Sequence, residues 1–81
     1  MEKFKNLEHL KAQVTVIRWH LDAATLVNGD KKRRHLDGAS ITYQGAVELL
    51  AQLALPPQEH AAITKQLAEL KDRLRAAGET V

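Results

Sequence analysis

Apolar residues in the first third of the chain recur at alternating steps of three and four, which is the spacing of a coiled-coil helix. The first stripe consists of Leu7, Leu10, Val14, Ile17, Leu21 and Ala24. The second stripe has the same spacing on nearly the opposite side and consists of Ala12, Val16, Trp19, Ala23 and Leu26. A helix with one stripe needs one partner surface, whereas a helix with two stripes is expected to be sandwiched. The pattern predicts a long first helix over about 7–28, closed by the left-handed conformation that Gly29 can adopt.

Two further helices are predicted, over about 41–54 and about 57–77. The apolar stripe of the second helix is Tyr43, Val47, Leu50 and Ala54, widened by Ala46, Leu49 and Leu53. The seam of the third helix is His60, Ile63, Leu67, Leu70, Leu74 and Ala77. Pro56 disfavours a helical conformation at the residue before it, and Pro57 suits the first position of a new helix. Gly78 is suited to closing the third helix, while residues 39–45 fit either a helical or an extended conformation.

The remaining segments complete a single helical domain over residues 1–81. Residues 29–40 are predicted to form a basic interhelix loop, and residues 79–81 a loose tail. The predicted fold is therefore all-α, a small antiparallel three-helix domain with coiled-coil-like packing. Helices two and three either cover both stripes of helix one or cover only one of them. In the second case a second copy of the chain meets the other stripe.

Length and cysteine content limit the function classes. A chain of 81 residues buries only about 60–65% of the surface that its unfolded form exposes, and small helical domains often compensate by oligomerising. The absence of cysteine excludes disulfides, thiolate zinc sites and cysteine nucleophiles. No apolar run approaches the roughly 18 residues of a membrane span, and the start of the chain lacks the apolar block of a signal peptide. We therefore expect a cytoplasmic protein that does not bind membranes.

Positive charge is concentrated in one block. The formal net charge is +2, and four of the twelve basic residues are consecutive. Together with the next residue they form the basic block, namely Lys31, Lys32, Arg33, Arg34 and His35. The block could contact nucleic-acid phosphates or an acidic protein surface. It could equally be a solvated loop whose cations favour the negative end of helix one.

The sequence offers no arrangement typical of catalysis. Ser40 is the only serine and lies outside any GxSxG motif, and the four glycines are too dispersed for a phosphate-binding loop. His9 and His20 lie on one side of helix one but about 16 Å apart, too far to share a metal ion. His60 is either a pH-sensitive seam residue or solvent-exposed. We expect no enzymatic activity, cofactor, metal ion or small-molecule substrate.

Two functional hypotheses remain. The first is a non-catalytic protein–protein interaction module, comparable in architecture to adaptors, secretion chaperones and inhibitors of regulators. It would act through the apolar surface centred on Trp19, because Trp among small residues is typical of interface hot spots. Self-association, with a homodimer favoured, is expected under this hypothesis. The alternative is a small nucleic-acid-associated regulator that contacts phosphates through the basic block, with binding that falls steeply as salt rises.

Overall fold

The fold consists of three α-helices. The computed structural model describes residues 2–81, with side chains from Asn6 onward. Helix α1 spans Glu2–Ala24, α2 spans Gly29–Gln52 and α3 spans Pro57–Ala76. These described residues contain no β-strand, and the predicted all-α three-helix fold is confirmed.

The chain reverses direction at each of its two connections. Helices α1 and α2 are antiparallel, because the imidazole of His20 lies against both His35 and Gly38 near the connection. Farther from the connection, the Gln13 side chain approaches Gly45. Helix α3 turns back and runs in the same direction as α1, so that its last turns lie beside the end of α1. There the guanidinium of Arg73 is 2.8 Å from a carboxylate oxygen of Asp22.

A single hydrophobic cluster lies between the three helices. Helix α1 contributes the first stripe, of which Leu10, Val14, Ile17, Leu21 and Ala24 are buried and Leu7 is partly buried. Helix α3 contributes Ile63, Leu67, Leu70 and Leu74. Helix α2 contributes Leu36, Ala39 and Ala46. The first stripe is confirmed as core, and so are the four aliphatic positions of the third seam, whereas His60 and Ala77 at its ends are exposed.

Helix α2 begins much earlier than predicted, and the prediction of a basic loop over 29–40 is wrong. Lysine and arginine are good helix formers, and Asp30 in the first turn interacts favourably with the positive helix end. Leu36 and Ala39 extend the three-and-four spacing backwards from Tyr43, so the helix has a continuous apolar face. The predicted stripe of this helix was also partly wrong, because Val47 and Ala54 are exposed.

Helix α1 ends at Ala24, four positions before the predicted end at 28, and it begins at Glu2 instead of about 7. The amides of Thr25 and Leu26 donate to the carbonyls of Asp22 and Ala23 at 3.2 and 3.0 Å, which tightens the last turn. The Thr25 hydroxyl also donates to the Asp22 carbonyl at 2.7 Å. Gly29 has a φ of +63°, so the predicted left-handed conformation is confirmed, although it marks the entry to α2.

The end of α3 is closed by two reverse hydrogen bonds. The Glu79 amide donates to the Leu74 carbonyl at 2.9 Å and the Gly78 amide to the Arg75 carbonyl at 3.0 Å. With Gly78 at a φ of +96°, this is the Schellman arrangement expected for a glycine cap. The predicted loose tail is instead docked, because Val81 packs against the core and its carbonyl accepts from Nε of Arg75 at 2.9 Å.

Candidate interaction surface

The second stripe of α1 carries three of the five large hydrophobic side chains that are exposed in the described residues. Trp19 is 59% exposed, Val16 is 41% exposed and Leu26, in the turn after α1, is 84% exposed. Ala12 is exposed and Ala23 is half-buried. Helices α2 and α3 therefore cover only the first stripe, and the five residues predicted as an interface remain accessible along one side of the bundle.

The exposed indole of Trp19 contacts two imidazole rings. Its ring centroid lies 4.8 Å from that of the adjacent His20, with the planes tilted by 57°. The centroid of His35, on α2, lies 5.4 Å away in an edge-on arrangement at 84°. Aromatic pairs favour such tilted and edge-on contacts. The position of Trp19 is thus set by both helices of the hairpin, which reduces the entropy lost when another chain packs on it.

The two imidazoles also contact each other directly. Their Nδ1 atoms are 3.1 Å apart, which is hydrogen-bonding distance when one nitrogen carries the proton and the other accepts it. The ring centroids are 5.3 Å apart. Trp19, His20 and His35 therefore form one aromatic triad that joins α1 to α2 at the base of the open surface.

Gly38 makes room for this triad. A Cβ at this position would lie 3.0 Å from Nε2 and 3.1 Å from Cε1 of His20, closer than side chains normally pack. The imidazole therefore lies directly over the α2 backbone. Gly45, on the same helix, is not covered in this way, because a Cβ there would meet only the Gln13 amide nitrogen at an ordinary 3.4 Å. A glycine in the middle of α2 is explained by the ring that covers it.

Sequence reasoning missed the contact between His20 and His35. It placed His35 in a loop, so the two imidazoles had no predicted relation. The signal that could have found the contact is the spacing of His35 and Gly38, which places both on one face once the segment is recognised as helical. The triad is therefore a consequence of the extended α2.

The folded structure disfavours a positive charge on His20. Burial, and secondarily the nearby charge of His35, lower the pKa of His20 below its ordinary value. The neutral form of His20 is therefore favoured in the folded chain. A neutral His20 can share one hydrogen bond with its neighbour, whereas two charged imidazoles would repel each other.

Acidification is consequently expected to destabilise the fold. Because the pKa of His20 is lower in the folded than in the unfolded chain, the unfolded chain binds more protons as the pH falls. The stability contributed by neutral His20 is complete above about pH 6.5 and is lost as the pH falls through that value towards the folded pKa. Urea unfolding at about pH 7.5 and about pH 5.5 measures this loss. The loss of unfolding free energy should be smaller in His20→Gln than in the unaltered protein, and the same in His9→Gln as in the unaltered protein. An identical loss in the unaltered protein and both variants would contradict the role of His20.

The basic block does not form one patch. Because consecutive residues of a helix point about 100° apart, the cations diverge. Arg33 faces the end of α3, where it pairs with Glu79 at 3.3 Å and with Asp37 at 3.2 Å. Lys32 lines a small cavity between the ends of α1 and α3. Lys31, Lys32 and Arg34 are exposed, and within the described side chains none of them forms an ion pair.

An open groove of about 470 Å³ lies between the middle of α1 and the first half of α3. Val14 and Ile63 contribute apolar surface, while Lys11, Arg18 and Glu59 supply charge. The sequence did not predict this groove, because it arises from the relative placement of two helices that are far apart along the chain.

The described residues contain neither a cluster of metal ligands nor a helix that could span a membrane. No three histidine, aspartate or glutamate side chains in residues 6–81 converge in a way that could hold a metal ion. No helix in the described part of the chain is both long and apolar enough to cross a lipid bilayer.

Comparison with known protein families, with curated proteins and with solved structures finds no match for this chain. The geometry of the exposed surface is therefore the basis of the functional proposal.

Proposed function

We propose that this chain is a non-catalytic helical interaction module whose second stripe binds a second copy of the chain. The observation that carries the proposal is Trp19, more than half exposed yet held by His20 and His35. Large aromatic side chains in fixed positions are typical of interface hot spots. A cytoplasmic location, which the cysteine-free sequence fits, is part of the same proposal.

The spacing of the second stripe is suited to an antiparallel homodimer. A two-fold axis near Trp19 would place residues that are equally distant from it, before and after, opposite each other in the two copies. Ala12 and Leu26 each lie seven positions from Trp19. The large Leu26 of one copy would thus face the small Ala12 of the other, which allows close packing on both sides of the axis.

Charge supports the same arrangement. Glu8 is exposed near the beginning of α1, and the exposed Lys31 and Arg34 lie at the opposite end of the hairpin. The two-fold axis would bring Glu8 of each copy towards the basic end of the other. Opposite charges at the rim of an interface favour one orientation over its alternatives.

Trp19→Ala is expected to dissociate the dimer while leaving the helices intact. Removal of a central hot-spot side chain costs at least about 2 kcal/mol, or an about 30-fold weaker association. Sedimentation equilibrium measures the association constant, and circular dichroism checks the helix content. The matched control is Val47→Ala, since Val47 is 40% exposed but lies beside Lys71 and Val81 on another side of the bundle.

A charge-reversal series tests the identity of the occupant. Glu8→Lys should weaken self-association, and adding Arg34→Glu to the same chain should restore it. A protein that sediments as a monomer at all concentrations would exclude the homodimer. Weakened association in Val47→Ala, with none in Trp19→Ala, would place the interface on a different face.

The alternative hypothesis of phosphate binding gains no support from the geometry. Arg33 is paired with two carboxylates, and His35 belongs to the aromatic triad. Lys31, Lys32 and Arg34 remain exposed, and in the homodimer Lys31 and Arg34 have the role of orienting the second copy.

A further inference from the structure

The pair of imidazoles beneath Trp19 has the geometry of a chelate. His20 comes from α1 and His35 from α2, and their Nδ1 atoms are 3.1 Å apart. Both side chains are half-buried, so solvent still reaches the pair. Neither residue was assigned a role in metal binding from the sequence.

The separation of the two nitrogens fits one metal ion between them. Imidazole nitrogens bind zinc at about 2.0–2.1 Å. Two such bonds to nitrogens 3.1 Å apart enclose an angle of about 100° at the metal. This angle lies between the about 90° of adjacent ligands in square-planar or octahedral sites and the about 109° of tetrahedral sites. To bind the ion, the two rings would rotate so that the lone pairs of both Nδ1 atoms point at it.

We propose that His20 and His35 chelate one divalent transition-metal ion, Cu²⁺ in preference to Ni²⁺ or Zn²⁺, through their two Nδ1 atoms. The order follows from the general stability sequence of divalent ions with nitrogen ligands. Two protein ligands leave the remaining coordination positions to water. The metal would join α1 to α2 directly beneath the exposed indole, and the proposal does not depend on dimerisation.

When both Nδ1 atoms bind the metal, each neutral imidazole carries its proton on Nε2, so the ring that donates from Nδ1 in the hydrogen-bonded pair must change tautomer. Metal ligation needs neutral imidazole, so every charged histidine competes with the metal. The fold therefore provides two imidazoles, one from each helix, whose Nδ1 atoms are already close together.

Titration of tag-free protein with CuSO₄, NiCl₂ and ZnCl₂ tests the proposal. Trp19 is the only tryptophan and touches both imidazoles, so Cu²⁺ bound at the pair should quench its fluorescence with a stoichiometry of one. His20→Gln and His35→Gln should each weaken binding at least about tenfold. His9→Gln and His60→Gln are the matched controls and should bind like the unaltered protein.

Two further measurements keep the test decisive if a variant folds poorly. In the unaltered protein, Zn²⁺ should shift the ring NMR signals of His20 and His35 before those of His9 and His60. Because the metal binds the folded pair, it should also raise the melting temperature, and it should not do so in His20→Gln. Absence of saturable binding, equal affinity in all four variants, or earlier shifts of the His9 or His60 signals would overturn the proposal.

Discussion

Ile17→Ala is expected to lower the free energy of unfolding by about 2–5 kcal/mol. Ile17 is fully buried in the middle of α1, where it lies in the cluster shared by all three helices. Its removal leaves a cavity that surrounding helices can fill only in part, and the lost transfer free energy adds to the cavity cost. For a domain of this size the expected loss is a large part of the total stability. Urea unfolding followed by circular dichroism measures it.

The matched control is Ile41→Ala, since Ile41 is 71% exposed on α2. Removal of this side chain leaves no cavity, and alanine has a higher helix propensity than isoleucine. The free energy of unfolding should change by no more than about 0.5 kcal/mol. Equal losses at the two positions would show that the first stripe of α1 is not the core.

Gly38→Leu is expected to cost about 1–3 kcal/mol, the usual result of forcing extra atoms into a packed contact. The position admits no Cβ without movement of the His20 ring. The displaced imidazole would also leave Trp19 without one of its two supports. The variant should therefore show both a lower free energy of unfolding and a changed emission maximum of the indole.

Gly45→Ala provides the opposite case on the same helix. A Cβ there meets only the end of the flexible Gln13 side chain, at 3.4 Å. Replacing a helical glycine by alanine should then stabilise the fold by up to about 1 kcal/mol. If Gly38→Leu were as stable as the unaltered protein, the close approach of His20 to α2 would be refuted.

The parts of the fold that were predictable are those specified by large aliphatic residues at regular spacing. The first stripe of α1 needed only the recurrence of leucine, valine and isoleucine, and the same holds for Ile63 to Leu74 in α3. The two consecutive prolines and Gly78 correctly marked the ends of α3. These signals are local, so no knowledge of the neighbouring helices was required.

The first half of α2 was missed, although Leu36 and Ala39 continue the three-and-four spacing of Tyr43. Its buried positions are Leu36 and Ala39, with four consecutive cations before them and Gly38 between them. Read alone, a polar run with a glycine favours a loop. The helix is stabilised by contacts with α1, because the backbone at Gly38 supports the ring of His20. Tertiary packing thus determines the conformation of a segment whose local sequence is ambiguous.

The candidate site was predictable only in part. The two apolar faces of α1 are visible in the sequence, and Trp19 favours the second stripe as the interface, but whether the other helices cover one face or both is decided only by their packing. The histidine pair does not follow, because its distance depends on the register between α1 and α2. A shift of that register would separate the two Nδ1 atoms, which are 3.1 Å apart.

The up–down–up path of the chain has a consequence for how the protein can be linked to others. Because α1 and α3 run in the same direction, α1 starts at one end of the bundle and the docked tail lies at the other. The bundle is 42 Å long and only 21 and 17 Å across. Two proteins fused to its opposite ends would be held apart by a short rigid rod. A protein fused after the tail must be joined by a linker that leaves Val81 packed against the core. A protein fused before α1 leaves the histidine pair and Trp19 unchanged.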